Sequence, residues 1–308
     1  MEKIAYVFPG QGSQAVGMLA ELAAEHEIVA QTFAEASEVL GYDLWQLVQV
    51  GPAESLNETD KTQPALLTAS VAIWRVIESL GVAKPEVLAG HSLGEYSALV
   101  CAGVIKFADA VKLVELRGQL MQQAVPAGTG AMYAIIGLEN DEIQKACEQS
   151  AQGAVVSPVN FNSPGQVVIA GEKEAVERAA SACKEAGAKM AVALPVSVPS
   201  HCQLMKPAAD KLADTLATID FSEPAIKVIN NVDVATPVTA AEIKDALIRQ
   251  LYCPVRWSET VEAMAADGVT QLVEVGPGKV LTGLAKRINR SLGAKVANDP
   301  ATVAVLSE

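Results

Sequence analysis

The chain has no C-x-x-C pair, only three histidines and no long uninterrupted apolar run. Its five cysteines, Cys101, Cys147, Cys183, Cys202 and Cys253, are odd in number, widely spaced and mostly set in apolar stretches. That pattern argues against a zinc ribbon, a dithiol redox site or a disulfide framework, and fits free thiols in a reducing cytoplasm. No metal site is expected. Nothing approaches the ~18 apolar residues of a membrane span. The first residues, Met1 to Phe8, read as a strand and lack the marks of a secretion signal. Bases are scarce: 23 Lys and Arg against 36 Asp and Glu give a net charge of −13. So acidic a chain is a poor general binder of nucleic acid or anionic membrane, and an anionic ligand must be drawn in by a local cluster of bases.

What is present is the material of a large core. Half of the 308 residues are hydrophobic and 19% are charged, a soluble globular composition. The length fits two domains, or one domain carrying an insertion. Residues 3–8 read as a strand, followed by a turn and then helical pattern through Leu40. A helix opens at Gln63-Pro64-Ala65 and runs to Leu80, and 85–90 read as a buried strand. Gly90-His91-Ser92-Leu93-Gly94 turns sharply into an almost wholly apolar helix, and 106–124 form an amphipathic one. Such alternation implies a parallel sheet with helices on its faces. The order then changes to β-α-β-β-α-β: strands at 131–138, 154–159, 166–170 and 189–196, with helices at 141–151 and 173–187. That is the ferredoxin-like pattern. The expected fold is therefore α/β: a large domain of residues 1–127 and 199–308 with a mostly parallel sheet, and an inserted small domain of residues 128–198. After His201 come helix, strand, two helices and the strand 271–275, and Gly276-Pro277-Gly278 lead into a final helix.

Gly90-x-Ser92-x-Gly94 is the pattern of a nucleophile elbow, with a buried strand before it and a helix after it. A serine on such a turn stands clear of the sheet, and the N–H groups of the next helix face developing negative charge. It needs a base. His26 lies between two glutamates on a solvated helix face, and His91 adjoins the serine as a packed neighbour. His201 remains, on the loop that leaves the insert. Cys202 is badly placed to pair with it, because neighbouring side chains on an extended segment point opposite ways. Arg117 falls in the middle of the apolar side of its helix, three residues after Val114 and four before Met121. A guanidinium there must be paired, either by a protein carboxylate or by a carboxylate of the substrate. Gly10-Gln11-Gly12-Ser13-Gln14-Ala15 fits a dinucleotide fingerprint. That reading fails over residues 28–40, where helical pattern occupies the place of the second strand and its terminal acid. The turn is better read as a source of donors near the serine. With water as acceptor such residues make a serine esterase or thioesterase, with another acceptor an acyltransferase, and the site residues alone do not separate the two.

Gly10-Gln11-Gly12-Ser13-Gln14, Gly90-His91-Ser92-Leu93-Gly94-Glu95-Tyr96-Ser97-Ala98-Leu99, Arg117, Ser200-His201 and Val275-Gly276-Pro277-Gly278 occur in one order. In this the chain resembles the acyltransferase family of fatty acid and polyketide synthesis over nearly its whole length. The resemblance implies a hydrolase-like large domain with a ferredoxin-like insert. It implies a malonyl group carried from malonyl-CoA, through an ester on Ser92, to the phosphopantetheine thiol of acyl carrier protein. It implies His201 as the base, the N–H groups of Gln11 and Leu93 as oxyanion donors, Arg117 as the grip on the free carboxylate, and the main-chain carbonyl of Gln250 as the orienter of His201. Asn160, Asn162 and Gln63 belong to similar motif stretches lining the site. No cofactor is implied beyond the thioester substrate, and no acid holds the histidine. Val198-Pro199-Ser200 do not match the malonyl signature of modular polyketide synthases, so tolerance of methylmalonyl stays open. Coenzyme A phosphates and an acidic carrier protein must approach an acidic enzyme, here expected to be a cytoplasmic monomer. Lys279, Lys286, Arg287 and Arg290, in a stretch free of acids from 279 to 291, are expected with Lys189 to form the docking patch.

Overall fold

In a computed structural model, residues 3–196 and 198–307 are described. Met1, Glu2, Ser197 and Glu308, which the sequence reading assigns to its strand, insert and large domain, lie outside the described residues. The strands are β1 (Ile4–Phe8), β2 (Val87–Gly90), β3 (Gly130–Ile136), β4 (Val156–Ser163), β5 (Gln166–Glu172), β6 (Met190–Ala193), β7 (Lys227–Ile229), β8 (Gln271–Val275) and β9 (Gly293–Ala297). One sheet has the order β7-β2-β1-β8-β9, with every neighbouring pair parallel. Its inner strands β2 and β8 are buried along their whole length, as a sheet covered on both faces requires. Alternation then sorts the side chains. Tyr6, Phe8, Leu88 and Val273 enter a core with the helices Thr59–Ser79 and Phe107–Ala124. Ala5, Val7, Ala89 and Leu272 enter the opposite core with Trp257, Val261, Leu281 and Leu284.

The second sheet has the order β4-β5-β3-β6 and is antiparallel throughout. Ile135, Val167 and Ile169 face the helices Asn140–Ala151 and Lys173–Glu185 through Ile143 and Val176. Met132, Val159, Val168 and Ala170 face the other way, onto Cys202. Two main-chain bonds tie this sheet to the rest of the chain: Val255 N–H donates to Val159 O at 2.8 Å and Phe161 N–H to Val255 O at 3.0 Å. The second sheet and the carboxyl ends of β1 and β2, where ligands of open parallel sheets bind, line one cavity through Met132 and Asn160 on one side and Gln11 and Ser92 on the other.

Four local expectations need correction. The helical pattern before Leu40 is two helices, Ala20–Glu25 and Glu27–Leu40, broken at an extended His26. Residues before Ala20 turn instead, since Gly12 and Gly17 both take positive φ. The helix expected to open at Gln63 starts at Thr59 and carries Pro64 inside it. β4 runs on to Ser163, past the expected end at residue 159, with register irregularities at Pro158/Asn160 and Phe161/Ser163. After the helix Val280–Ile288 the chain adds the edge strand β9 and the short helix Pro300–Ala304. Gly-Ala-Lys-Val-Ala has little strand signal of its own; its conformation comes from pairing with β8.

The turn between β2 and the helix Gly94–Cys101 is too tight for side chains at either flank. A Cβ on Gly90 would lie 1.8 Å from the carbonyl carbon of Gly94, and one on Gly94 would lie 2.1 Å from Phe8 O. Both obstacles are main chain, one at the start of the helix and one at the end of β1, so neither can step aside. Gly90→Ala is therefore expected to destabilise the protein by about 3 kcal/mol or more. Urea denaturation checks this; a midpoint equal to that of the wild type contradicts it.

Candidate active site

Ser92 sits at the tip of that turn with φ 53°, a left-handed conformation that costs a serine ~1 kcal/mol or more. Asn231, in the loop after β7, braces it from beneath. Asn231 Oδ1 accepts from Ser92 N–H at 2.8 Å, and its Nδ2 donates to Gly90 O at 2.7 Å. The N–H groups of Gln11 and Leu93 make no hydrogen bond among the described residues, and both residues line the same cavity of about 450 Å³. The main chain is thus free to donate beside the serine.

His201 is brought to the serine across the molecule. Its N–H donates to Leu251 O at 3.0 Å, and its own φ is 64°. Nδ1 lies 2.6 Å from the main-chain oxygen of Gln250. A carbonyl can only accept, so Nδ1 carries the proton and Nε2 is left as an acceptor. The Ser92 hydroxyl donates to that Nε2 at 2.8 Å. Burial, and then the charge of Arg117, push the imidazole down to about 3. It is neutral at physiological pH and ready to take a proton.

Arg117 is buried, as its place on the helix predicts. Its partners are not carboxylates. Nη1 donates to Gln63 Oε1 at 2.8 Å, Nη2 to Gln250 Oε1 at 2.9 Å, and Nη2 lies 3.4 Å from Ser92 Oγ. The guanidinium lies over the Tyr96 ring, 5.3 Å from its centroid. Neutral amides hold the cation in place without cancelling its charge. Gln250 serves both centres, steadying His201 with its main chain and Arg117 with its side chain.

Two residues of this network were missed in the sequence. Glu95 is buried directly after the elbow, and Asn231 is fully buried beneath it. Glu95 did leave a signal, as the lone acid in a helix otherwise apolar enough to be fully covered. Asn231 left none. Of the other named residues, His91 packs on Trp257 and bonds Asn162 through Nε2 at 2.7 Å. Asn160 lines the cavity, with its Oδ1 buried and without a partner among the described residues. Cys202 points into the small core under the second sheet, and its Sγ donates to Pro199 O. His26 is the extended joint between two helices. Glu27–Leu40 is helical, so no second strand comes after the glycine turn as a dinucleotide fold needs. Lys189, Lys279, Lys286, Arg287 and Arg290 are all exposed. Arg287 reaches the second sheet through a 2.6 Å bond to Gln166 Oε1. Lys189 lies near the same end of that sheet, because Ile136 pairs with both Gln166 and Met190. None of the five lines the cavity. Among the described residues no helix is long and apolar enough to cross a membrane, and no group of three His, Cys, Asp or Glu could hold a metal ion.

The depressed imidazole gives a pH expectation. A neutral fluorophosphonate should label Ser92 at a rate that changes less than about threefold from pH 8 to pH 5. A histidine titrating at its ordinary 6.5 would slow the reaction about thirtyfold over that range. Rates of labelling followed by intact mass decide between them.

The chain matches known proteins almost end to end. The model of the acyl transferase domain family matches residues 5–306. A malonyl CoA-acyl carrier protein transacylase of Salmonella typhimurium is 69% identical over 303 residues, covering 98% of each chain. The crystal structure of an acyl carrier protein S-malonyltransferase from Vibrio cholerae superposes with a TM-score of 0.97 at 71% identity, covering 99% of both chains. A malonyl-transacylase solved in complex with its type II polyketide synthase acyl-carrier protein gives a TM-score of 0.98 at 66% identity, covering 99% of this chain and 98% of that one. A cavity holding a serine, an imidazole and a neutrally bedded cation, on a chain matched almost end to end, makes this protein a member of the acyl transferase domain family.

Proposed function

We infer that the chain moves a malonyl group from malonyl-CoA to the phosphopantetheine thiol of acyl carrier protein by way of an ester on Ser92. The observation that carries this reading is Arg117 Nη2 at 3.4 Å from Ser92 Oγ, with Ser92 donating to His201 Nε2 at 2.8 Å. An acyl group on that oxygen brings a carboxylate three atoms away within reach of the guanidinium. In the first half-reaction the hydroxyl proton passes to Nε2 as Oγ attacks the thioester carbon. The N–H groups of Gln11 and Leu93 hold the oxyanion. The C–S bond then breaks, and His201 returns the proton to the coenzyme A thiolate. In the second half-reaction the carrier's thiol gives its proton to Nε2 and attacks the ester, and Ser92 leaves with that proton. Both halves balance with no cofactor. A carboxylate on Arg117 also offsets the charge that holds the imidazole down, so the base strengthens when a malonyl group is in place. No observation favours water over a thiol as acceptor, and the Salmonella and Vibrio relatives both carry the names of transferases.

We also read residues 128–198 as a ferredoxin-like insert in a hydrolase-like domain of 1–127 and 199–308. The antiparallel order β4-β5-β3-β6, with two helices on one face, supports this. The five free cysteines suit a cytoplasmic setting. For docking we take the exposed bases Lys189, Lys279, Lys286, Arg287 and Arg290. Lys279 follows Gly278, which packs beside Ser13 near the cavity mouth, and Arg287 bridges to the second sheet.

Intact mass after mixing with malonyl-CoA tests the reaction. The expected result is one malonyl group on the wild type, none on Ser92→Ala, and loss of the group on adding holo carrier protein. With Arg117→Ala the preference for malonyl over acetyl should fall about 30-fold or more; an unchanged ratio rejects the carboxylate grip. Reversing Lys286 and Arg287 to Glu should raise the KM for carrier protein, more so at low salt. A KM that does not move removes those two bases from the docking face.

A further inference from the structure

Glu95 lies in the first turn of the helix Gly94–Cys101 and is buried. Its Oε2 accepts from Gln250 Nε2 at 2.9 Å and from Asn231 N–H at 2.9 Å. The other end of the same amide, Gln250 Oε1, accepts from Arg117 Nη2. Glu95 and Arg117 are therefore the two ends of a bridge through Gln250. Among the described residues no other carboxyl is joined to this guanidinium by so short a path. On the malonyl reading, a second carboxylate reaches Arg117 from the cavity. One buried guanidinium does not offset two buried carboxylates, since each must repay its own loss of hydration.

We propose that Glu95 is a positioning residue for malonyl selection: it is the internal counter-ion of Arg117 in the free protein and takes up a proton from solvent when the acyl carboxylate arrives. The inference rests on the malonyl reading. The charged and titratable groups around Glu95 come from four elements. Arg117 stands on the helix Phe107–Ala124 and favours the carboxylate. Asp233, in the loop after β7, disfavours it but is itself paired with Arg249. Tyr96 is the next residue on the same helix, and His201, a neutral ring, meets the main chain of the same Gln250 from its loop. Burial outweighs the charges and hydrogen bonds and raises Glu95 to about 7. The carboxyl is thus poised where a nearby negative charge shifts its protonation. A malonyl carboxylate favours the protonated form. By linkage, malonyl binding weakens as pH rises past about 7, while acetyl binding does not.

The test is the specificity of Ser92 acylation, kcat/KM for malonyl-CoA over that for acetyl-CoA, from pH 6.5 to 8.5. In the wild type the ratio should fall about tenfold across this range. In Glu95→Gln it should stay level, with malonyl still preferred. That variant keeps the fold's hydrogen bonds, because both donors meet one oxygen, which the amide oxygen can replace. A level ratio in the wild type, or an equal fall in Glu95→Gln, overturns the proposal. A second readout needs no variant. In weak buffer at pH 7.5, malonylation of the wild type should take up a measurable fraction of a proton per serine beyond that of acetylation. The released coenzyme A thiol contributes equally to both, and equal uptake overturns the proposal. If malonyl preference is absent at every pH, the malonyl reading itself fails; if preference is present but level with pH, only the role of Glu95 fails.

Discussion

A guanidinium buried among amide oxygens sets the terms for everything around it. Burying an unpaired charge costs several kcal/mol, and most proteins meet that cost with an adjacent carboxylate. Here Gln63 and Gln250 supply oxygens at 2.8 and 2.9 Å, the Tyr96 ring lies against the cation, and the carboxylate is held one amide further away. Dipoles fix the direction of the side chain while leaving its field largely intact. That field acts on the serine oxygen, on the imidazole and on any acyl group between them.

The same constraint explains why a carbonyl, and not a carboxylate, stands behind His201. In a Ser-His-Asp triad the acid holds the tautomer and also stabilises the imidazolium. The main-chain oxygen of Gln250 performs the first task at 2.6 Å from Nδ1. An acid at that point would stand beside Arg117 and satisfy it, leaving no cation for a substrate. The cost is a weaker base in the free protein, which on the proposed reading the carboxylate of the substrate offsets. On that reading, selection of the acyl group and activation of the nucleophile draw on one charge.

How much of this was legible in the sequence depends on how local each feature is. The elbow is written in five consecutive residues, because sterics within the turn demand both glycines, and the pattern located it correctly. The burial of Arg117 is written in helical period, but its partners are not: Gln63 and Gln250 lie 54 and 133 residues away. The position of Gln250 came from family resemblance rather than from any pattern. Glu95 was passed over because a period reading treats one acid in an apolar helix as noise, whereas buried beside Arg117 it is a partner. β9 was missed because its short Gly- and Ala-containing segment becomes a strand only by pairing with β8. The break at His26 was missed because the apolar spacing continues across it.

Outside glycine, positive φ is rare, yet Ser92 and His201 both adopt it, at 53° and 64°. Each is locked by main-chain or side-chain bonds from a distant segment, Ser92 by Asn231 and His201 by Leu251. Strain of this kind persists only where surrounding structure over-determines it. Of the five non-glycine residues with positive φ among the described residues, these two meet at the cavity, and on the proposed reading they exchange a proton. Their 2.8 Å contact is a product of the whole fold: the parallel sheet presents one partner, and the chain returning from beneath the second sheet presents the other.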